Sequence, residues 1–462
     1  MDPAVDMKGI TMRFGKVVAN DKVDFSVEKG EILALVGENG AGKSTLMNIL
    51  YGLYIPTDGT IHINGEKKIF HSAIDAMAAG VGMVHQHFML IPRLTVTDNI
   101  VLGQEPHKGI RYNHGKAREE VLELCRQYDM KLDVDSRVAD ISLGMQQRVE
   151  IIKALYRRAD ILILDEPTAV LTPQEIDELG RMLQKLKAMG KTIIIITHKL
   201  QEVIDFSDRV TVLRQGKWIG TVKTQETTAE EITEMMVGRS VSLGGGRKEV
   251  MSREDILELR GVSYHNGQKE KLKNINLNVC KGEILGIAGI DNSGQKELTE
   301  VITGVLKPSV GQVLLKGQEI TGHAVSDIRK QGVGFIPQDR HRHGLALSQN
   351  IRDNLILGYQ REKEYNQKGC FFNEKMVSRD VEEKIKEFDI RPADMQLLAQ
   401  RLSGGNQQKI IVAREVSHAG SLIIADQPTR GVDIGAIELI HKTLVDARNA
   451  GKAVLLVSLE LD

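Results

Sequence analysis

Residues 37–45 read GENGAGKST and fit the pattern G-x-x-x-x-G-K-[ST] of loops that bind phosphate groups. Glycines let such a loop curl so that successive backbone N–H groups point at phosphate oxygens, and the following helix adds positive potential at its N-terminus. We expect Lys43 to place its ammonium group on the β and γ phosphates of a nucleotide, and Ser44 to be a ligand of Mg²⁺. The residues predicted to hold the nucleotide are Gly37, Asn39, Gly40, Gly42, Lys43, Ser44 and Thr45.

A second candidate for chemistry is the acidic end of the segment ILILDE at residues 161–166. Its aliphatic residues predict a buried strand that delivers Asp165 to its carboxyl end, where open α/β sheets bind ligands. Asp165 would hold Mg²⁺ through water, and Glu166 would polarise the attacking water as a general base. An acidic pair after a strand is more often a helix cap than a catalytic pair, but after a phosphate loop it indicates catalysis.

The chain contains the same series of motifs twice. The segment KGEILALVGENGAGKST returns as KGEILGIAGIDNSGQKE, and ILILDEPT returns as LIIADQPT. The offset is 252 residues between Gly37 and Gly289 and 261 residues between Asp165 and Asp426. An offset this steady over so much of the chain indicates two homologous domains and excludes a short-repeat solenoid.

The repeat predicts a first domain over residues 5–238, a linker over 239–254 and a second domain over 255–462. The linker is polar and contains three consecutive glycines, a composition typical of flexible connections. In each half aliphatic strands alternate with helices. This order predicts the α/β fold class, with a largely parallel sheet in each domain.

Composition narrows the classes of function. Lys plus Arg is 61 and Asp plus Glu is 62, so the near-zero charge argues against a protein whose main task is non-specific nucleic-acid binding. The longest apolar runs are far short of the roughly 20 residues that span a bilayer, and residues 1–10 do not resemble a signal peptide. Cys125, Cys280 and Cys370 lie far apart without metal-ligand or redox spacing. We therefore expect a cytosolic chain.

The segments ISLGMQQR at residues 141–148 and LSGGNQQK at residues 402–409 resemble the signature motif of ABC-type ATPases. The resemblance covers both halves and implies two tandem P-loop NTPase domains. Each would have a mainly parallel sheet core, a helical subdomain and an antiparallel β edge. It also implies a head-to-tail sandwich in which each nucleotide lies between one half's phosphate loop and the other half's signature, with ATP and Mg²⁺ as cofactors.

The resemblance assigns further residues by their place in the family's motifs. Gln86 and Gln338 would lie in the loops that sense the γ-phosphate and face the transport partner, and Gln86 would also be a Mg²⁺ ligand. His198 matches the switch histidine that contacts the γ-phosphate. Phe14 and Tyr264 look like the aromatic residues that stack on adenine.

The second half departs from the family pattern at the residues that do the chemistry. The residues at the positions of Lys43, Ser44, Glu166 and His198 are Gln295, Lys296, Gln427 and Leu459. A neutral amide cannot supply the charge that phosphoryl transfer needs, and an ammonium group cannot ligate Mg²⁺. Gln427 cannot accept a proton. The degenerate site would also contain Tyr264, Gly289, Gly294, Gln338, Asp426 and Ser142 of the first half.

At the signature motif it is the first half that departs from the family pattern, whereas the second half matches it. The second half keeps Ser403, Gly404 and Gly405, whereas the first half has Ser142, Leu143, Gly144 and Met145 at this motif. Asp433 follows the second acidic strand, and Thr172 stands at its place in the first half. One composite site therefore has every part, from the first half's loop, acids and histidine and the second half's Ser403, Gly404, Gly405 and Asp433. We predict one hydrolytic site and one that at most binds nucleotide weakly. The alternative is that both sites are active.

These assignments favour the energy-coupling ATPase subunit of an ABC importer at the cytoplasmic face of the cell membrane. It would work with two membrane-spanning permease subunits and an extracytoplasmic substrate-binding lipoprotein, and not with nucleic acid. The presence of two cassettes on one chain resembles the ATPases of sugar-type importers. Residues 83–106, the SLGMQQRVEI signature and the QPTRGVD segment look most like the nucleoside-uptake branch.

Two other functions are alternatives to a nucleoside importer. One is an importer ATPase for simple sugars such as ribose or galactose. The other is a soluble twin-cassette factor that acts on ribosomes or DNA, which the short glycine-containing linker and the altered second site disfavour.

Two features of the second half lie outside these assignments. Residues 340–343, RHRH, form a basic cluster that we interpret either as a contact for a membrane-protein loop or phosphate, or as an exposed turn. About 40 residues follow His198 before the linker, whereas 3 follow Leu459. We therefore expect the second domain to lack its final strands and helix. The halves would pair within one chain, or between chains if the second half is truncated.

Overall fold

The computed structural model describes residues 2–15, 17–86, 88–109, 111–168, 171–197, 199–240, 254–267, 269–289, 293–367 and 371–459. The chain divides into two units, Met1–Val241 and Ser242–Asp462. Of the predicted linker, residues 241–253 lie outside the described residues.

Strands and helices alternate through most of the first unit. Its strands are β1 (Val5–Phe14), β2 (Val17–Val27), β3 (Ile32–Val36), β4 (Asp58–Ile63), β5 (Glu66–Lys68), β6 (Val81–Val84), β7 (His107–Lys108), β8 (Arg111–Tyr112), β9 (Ile161–Asp165), β10 (Thr192–Ile196), β11 (Arg209–Arg214) and β12 (Lys217–Lys223). Its helices are α1 (Lys43–Leu50), α2 (Ala73–Ala78), α3 (Val96–Val101), α4 (His114–Gln127), α5 (Leu143–Tyr156), α6 (Pro173–Ala188), α7 (Leu200–Phe206) and α8 (Ala229–Val237).

The main sheet of the first unit has the strand order β12-β11-β3-β10-β9-β6, and only β12 at its edge is antiparallel to its neighbour. A separate antiparallel sheet has the order β2-β1-β4-β5. In the main sheet Ile196 pairs with both Asp165 and Leu35. The carboxyl ends of β3, β9 and β10 therefore meet at one edge, next to the loop that enters α1.

Alternate residues of the main sheet face two different cores, as a period of two requires. Ile161 and Ile163 pack in a cluster with α1 and the antiparallel sheet. Leu162 and Leu164 pack on the opposite face with α3, α4, α5 and α6. Every residue of β3 and β10 is buried, because apolar layers cover both faces of these strands.

The second unit repeats this architecture. Its strands are β13 (Asp255–Asn266), β14 (Lys269–Cys280), β15 (Ile284–Ala288), β16 (Val310–Leu315), β17 (Gln318–Glu319), β18 (Val333–Ile336), β19 (Asn366–Gln367), β20 (Phe371–Phe372), β21 (Leu422–Asp426) and β22 (Ala453–Ser458). Its helices are α9 (Gln295–Ile302), α10 (Val325–Lys330), α11 (Ile351–Leu355), α12 (Glu374–Glu387), α13 (Gly404–His418) and α14 (Ile434–Asn449). A parallel sheet, β15-β22-β21-β18, accompanies an antiparallel sheet, β14-β13-β16-β17.

The two parallel sheets differ at one edge. In the first unit β11 and β12 extend the sheet beyond β3, whereas among the described residues of the second unit no strand pairs with the outer edge of β15. Residues of β15 are consequently half-buried or exposed. Apart from this edge, both units show the predicted α/β class, with a parallel sheet, a helical region and an antiparallel β edge, and that prediction is confirmed. Within the described ranges, none of the helices has the length and apolar character needed to cross a bilayer.

A buried ionic cluster fixes the signature helix α13 to the sheet of the second unit. Glu415 on α13 has a side chain that is 1% exposed and accepts hydrogen bonds from Arg329 at 2.6 Å and Arg414 at 2.7 Å. It also accepts the N–H of Phe335 in β18 at 3.2 Å and the hydroxyl of Tyr359 at 3.1 Å. Burial alone would raise the pKa of Glu415, but the two guanidinium groups lower it overall. In the first unit Ala154 holds the corresponding place and packs close to Gly82.

We predict that Glu415→Ala destabilises the second unit by about 3–5 kcal/mol, because two arginines lose their buried counter-charge. Thermal and denaturant unfolding of the full chain would measure the loss. Lys330→Ala is the matched control, because it removes an exposed ion pair with Asp327 on the same helix as Arg329 and should leave the transition unchanged. Equal unfolding transitions for both variants would contradict a structural role of the cluster.

Candidate nucleotide site

The loop between β3 and α1 approaches its neighbours so closely that two positions require glycine. A Cβ atom at Gly37 would clash with the carbonyl oxygen of Leu213, and one at Gly42 would clash with that of Ala19. Gly42 also has a φ of +96°, in the left-handed region. Asn20 further holds the loop, because its Nδ2 donates to the carbonyl oxygen of Gly42 at 3.2 Å.

Lys43 places its positive charge inside this loop. Its side chain is buried, and Nζ donates to the carbonyl oxygens of Gly37 at 2.7 Å and Glu38 at 3.0 Å. The first backbone N–H groups of a helix have no acceptor within that helix, so those of Lys43, Ser44 and Thr45 are suited to an anion. The loop thus combines an ammonium group with a helix N-terminus, as phosphate binding requires.

The structure brings the predicted acids and the glutamine together at the carboxyl ends of the strands. Asp165 ends β9, and the backbone N–H of Glu166 donates to the carbonyl oxygen of Ile196 at 2.9 Å. Gln86 Nε2 donates to Glu166 Oε2 at 2.8 Å. Burial and the charge of Glu166 raise the pKa of Asp165 to about 6, while the nearby charge of Lys43 lowers it.

The donor set of the first unit fits Mg²⁺. Ser44, Asp165 and Gln86 offer hydroxyl, carboxylate and amide oxygens, which are the hard ligands that this ion prefers. A divalent cation would also offset the adjacent negative charges of Asp165 and Glu166. In the part of the chain that the structure describes, no group of three His, Cys, Asp or Glu side chains is placed to hold a metal ion. Phosphate oxygens and water would therefore complete its coordination.

Two other residues were predicted to contact the nucleotide in the first site, and the structure describes one of them. Phe14, at the end of β1, is 45% exposed and lies edge-on to Tyr54 with ring centroids 5.5 Å apart. Its exposed ring leaves room for a stacked base. His198 lies outside the described residues.

The corresponding loop of the second unit is occupied by its own glutamine. Gly294 has a φ of +99°, which matches that of Gly42. The Oε1 atom of Gln295 accepts the N–H of Ser293 at 3.1 Å, and a Cβ atom at Gly289 would clash with Gln295 Nε2. An amide thus lies in the loop instead of the ammonium group of Lys43.

Gln427 occupies the same backbone frame as Glu166. The φ values are +48° for Gln427 and +46° for Glu166, and the Gln427 N–H donates to the carbonyl oxygen of Val457 at 2.8 Å. Asp426 precedes it at the end of β21, and Gln338 lines the same cavity as Asp426. Tyr264 lies in β13 and is partly buried in the apolar cluster of that sheet. The second unit therefore differs from the first in the chemistry of its side chains more than in its backbone.

Each signature segment begins a helix and supports the loop after the acidic strand. Ser142 caps α5 and Ser403 caps α13, each accepting a backbone N–H of the first turn. Gln147 donates to the carbonyl oxygen of Pro167 at 2.6 Å, and Gln408 donates to that of Pro428 at 2.8 Å. The signature helix therefore fixes the loop that follows the acidic strand in both units.

Asp433 has a structural contact that the sequence analysis did not assign. It caps α14 by accepting the N–H of Ala436 at 2.9 Å, and its other oxygen lies where a Cβ atom at Gly405 would be. Thr172 caps α6 in the first unit together with Glu175, which similarly excludes a Cβ atom at Gly144. Both positions therefore serve as helix caps within their own units.

Comparison with known proteins places these motifs in a family. Residues 20–169 and 272–430 match the sequence model of the family described as ABC transporter. The chain belongs to this family. The match confirms the resemblance and the expectation of two ATP-binding cassettes, one in each unit.

Three similar proteins span the whole of this chain. The nucleoside import ATP-binding protein NupA of Lactococcus lactis is 47% identical over 462 residues and is covered to 91% of its length. The guanosine import ATP-binding protein NupO of Bacillus subtilis is 46% identical and is also covered to 91%. The glucose import ATP-binding protein TsgD13 of Haloferax volcanii is 43% identical and is covered to 89%.

Arg340 belongs to the basic cluster of the second cassette. It makes contacts that neither interpretation of this cluster predicted. Its guanidinium group donates to the carbonyl oxygens of Arg430 at 3.0 Å and Gly431 at 3.5 Å. Its Nη2 would lie 2.7 Å from a Cβ atom at Gly404. His341 bonds Gln407 on α13 at 2.8 Å. Arg340 is partly buried and contacts the loop after the acidic strand, whereas His341 contacts the signature helix but is exposed, as the interpretation of an exposed turn expects.

A comparison of the two halves could have found Arg340 from the sequence. The half that keeps Gly404 has arginine at position 340, whereas the half with Leu143 has Phe88 at the corresponding place. A Cβ atom at position 404 would lie 2.7 Å from Nη2 of the arginine, so a larger residue there requires the guanidinium group to move. The missing information was that segments about 60 and 90 residues apart along the chain meet here.

We predict that Arg340→Ala lowers the kcat for ATP by about 10-fold or more, because it loses the charge-assisted hydrogen bonds that hold the 430–431 loop next to Gly404. The KM for ATP should change little, because Arg340 lies outside the first phosphate loop. Steady-state ATPase assays would separate these constants. Arg342→Ala, an exposed change in the same turn, is the control and should retain the parental kcat. A change in KM alone would argue against positioning of the signature.

Proposed function

We propose that this chain is the ATP-hydrolysing, energy-coupling subunit of an importer whose solutes are nucleosides. Two membrane-spanning permease subunits and an extracytoplasmic substrate-binding lipoprotein would complete it, with this chain at the cytoplasmic face of the membrane. The observation that carries the proposal is identity of 46–47% along the whole chain to two ATP-binding proteins of nucleoside and guanosine import. The residues of the first cassette supply the chemistry that such a subunit needs.

In the first cassette each group has a distinct task. Lys43 and the loop N–H groups would bind the β and γ phosphates and stabilise the charge that develops on them. Glu166 would accept a proton from the attacking water, and Gln86, hydrogen-bonded to Glu166, would help to orient that water. When bound by Ser44, Asp165 and Gln86, Mg²⁺ would supply positive charge that offsets the charge of the phosphates.

The hydrolytic site would be completed by the second cassette. Ser403, Gly404 and Gly405 would approach the γ-phosphate at the N-terminus of α13, with Asp433 beside them, and His198 would contact the same phosphate from the first half. The second site would be degenerate, because Gln427 lacks a basic oxygen of carboxylate strength and Gln295 lacks the charge of Lys43. One ATP would therefore be hydrolysed per chain in each cycle.

We predict that Glu166→Gln lowers the ATP turnover of the assembled transporter by about 10²–10⁴-fold, because the general base is lost. Gln427→Ala, its counterpart in the same backbone frame, should retain the parental rate within about twofold. Turnover is measured by phosphate release at saturating ATP. Comparable damage from both changes would show that the two sites share the work and would refute a single hydrolytic site.

The identity of the solute needs a separate test, because a glucose import ATP-binding protein is also 43% identical to this chain. Simple sugars are therefore the second candidate. In the proposed importer the permeases and the binding lipoprotein would contact the solute, so the test is made on transport by the assembled complex.

We predict that cells with this chain as their only copy of the subunit take up labelled guanosine or uridine, and that uptake stops with Glu166→Gln. Uptake of labelled glucose and ribose should be equal in both strains. The variant is the matched control, since it keeps the fold and removes only the base. Loss of sugar uptake with nucleoside uptake unchanged would assign the importer to sugars instead.

A further inference from the structure

Helix α9 of the second cassette differs from α1 of the first at the positions that surround the expected metal. Lys296, Thr299 and Glu300 stand where the first cassette has Ser44, Met47 and Asn48. The last two positions gain a hydroxyl group and a carboxylate, so the change of Ser44 to lysine is accompanied by new polar partners.

These side chains and Asp426 form a contact network. Thr299 is fully buried, and its hydroxyl lies 2.9 Å from the carbonyl oxygen of Lys296 and 3.1 Å from Asp426 Oδ2, the two acceptors for its proton. Lys296, whose side chain is 57% exposed, places Nζ 3.8 Å from Glu300 Oε1. Lys296, Thr299, Glu300 and Asp426 all line one cavity of about 730 Å³. Burial raises the pKa of Asp426 to about 6, against the contact with Thr299, which lowers it. The carboxylate at the place of Asp165 thus already has a hydroxyl neighbour, and Lys296 lines the same cavity.

The side chains at equivalent positions differ in what they offer a metal ion. Ser44 has a hydroxyl oxygen that can ligate Mg²⁺, whereas the ammonium group of Lys296 has no lone pair and repels a cation. The carboxylate of Asp426 is in addition in contact with the hydroxyl of Thr299. The residues of the second cassette therefore do not fit Mg²⁺.

We propose that the second cassette takes no Mg²⁺ at its phosphate loop, and that Lys296 is a resident cation which replaces the metal there. Glu300 would hold the ammonium group, and Thr299 would hold the carboxylate of Asp426. Phosphate groups that enter this cavity would meet a fixed side-chain charge in place of a metal ion. The inference rests on the proposed function, because it assumes that the first cassette alone is the metal-dependent, hydrolytic one.

The test counts bound metal on the full-length chain. Mn²⁺ serves as the probe for the Mg²⁺ site, and electron paramagnetic resonance measures free and bound Mn²⁺ in the presence of excess non-hydrolysable ATP analogue. We expect one bound Mn²⁺ per chain. A count of two that falls to one in Asp426→Asn would overturn the inference, because a metal ion would then occupy the second loop.

A lysine transplanted into the first cassette provides the matched variant. Ser44→Lys places the same cation in the intact loop, and we expect its count to fall from one Mn²⁺ to none, whereas Lys296→Ala should not lower the parental count. Persistence of the ion in Ser44→Lys would overturn the inference, because lysine at this position would then be compatible with a metal. Failure of the proposed function is distinguishable, since it would appear as ATP turnover that survives Glu166→Gln.

Discussion

The carboxyl edge of each parallel sheet is the constraint on which both cassettes depend. In the first, β3 leads into the phosphate loop, and β9, which is separated from β3 by β10, ends in Asp165. Burial of these strands on both faces leaves their register no freedom, because a shift by one residue would turn the aliphatic side chains to the wrong core. The loop, the acid and the left-handed residue after it therefore have fixed relative positions before any ligand binds.

The same frame carries two different chemistries. Glu166 and Gln427 share their φ values and the hydrogen bond to the end of the adjacent strand, so replacing carboxylate by amide alters proton transfer without altering the backbone. The side chains of the two phosphate loops differ at two positions, since the second loop has an amide in place of the ammonium group and a lysine in place of a hydroxyl. In the second cassette Thr299 lies near Asp426, and Glu300 lies near Lys296. The side chains that differ from those of the first cassette therefore contact residues of their own unit.

The repeat, the phosphate loop and the acidic strand ends were readable from the sequence because each depends on neighbouring residues with a fixed period. The contacts of Arg340 and the cap formed by Asp433 were not, since they join segments that only the folded chain brings together. His198 lies outside the described residues, so its assignment remains a prediction from the family resemblance.

The signature glycines show why the type of a residue does not by itself indicate its role. Gly405 and Gly144 each face the side chain of an acid near the start of the helix that follows the acidic strand, and a Cβ atom would collide with that acid in both halves. Glycine at this position is therefore explained by packing, and its presence in the altered signature is no sign of function. Gly404 faces Arg340 instead, and the corresponding residues of the first half are the apolar Leu143 and Phe88. Positions 404 and 340 are thus where the side chains around the two signature segments differ.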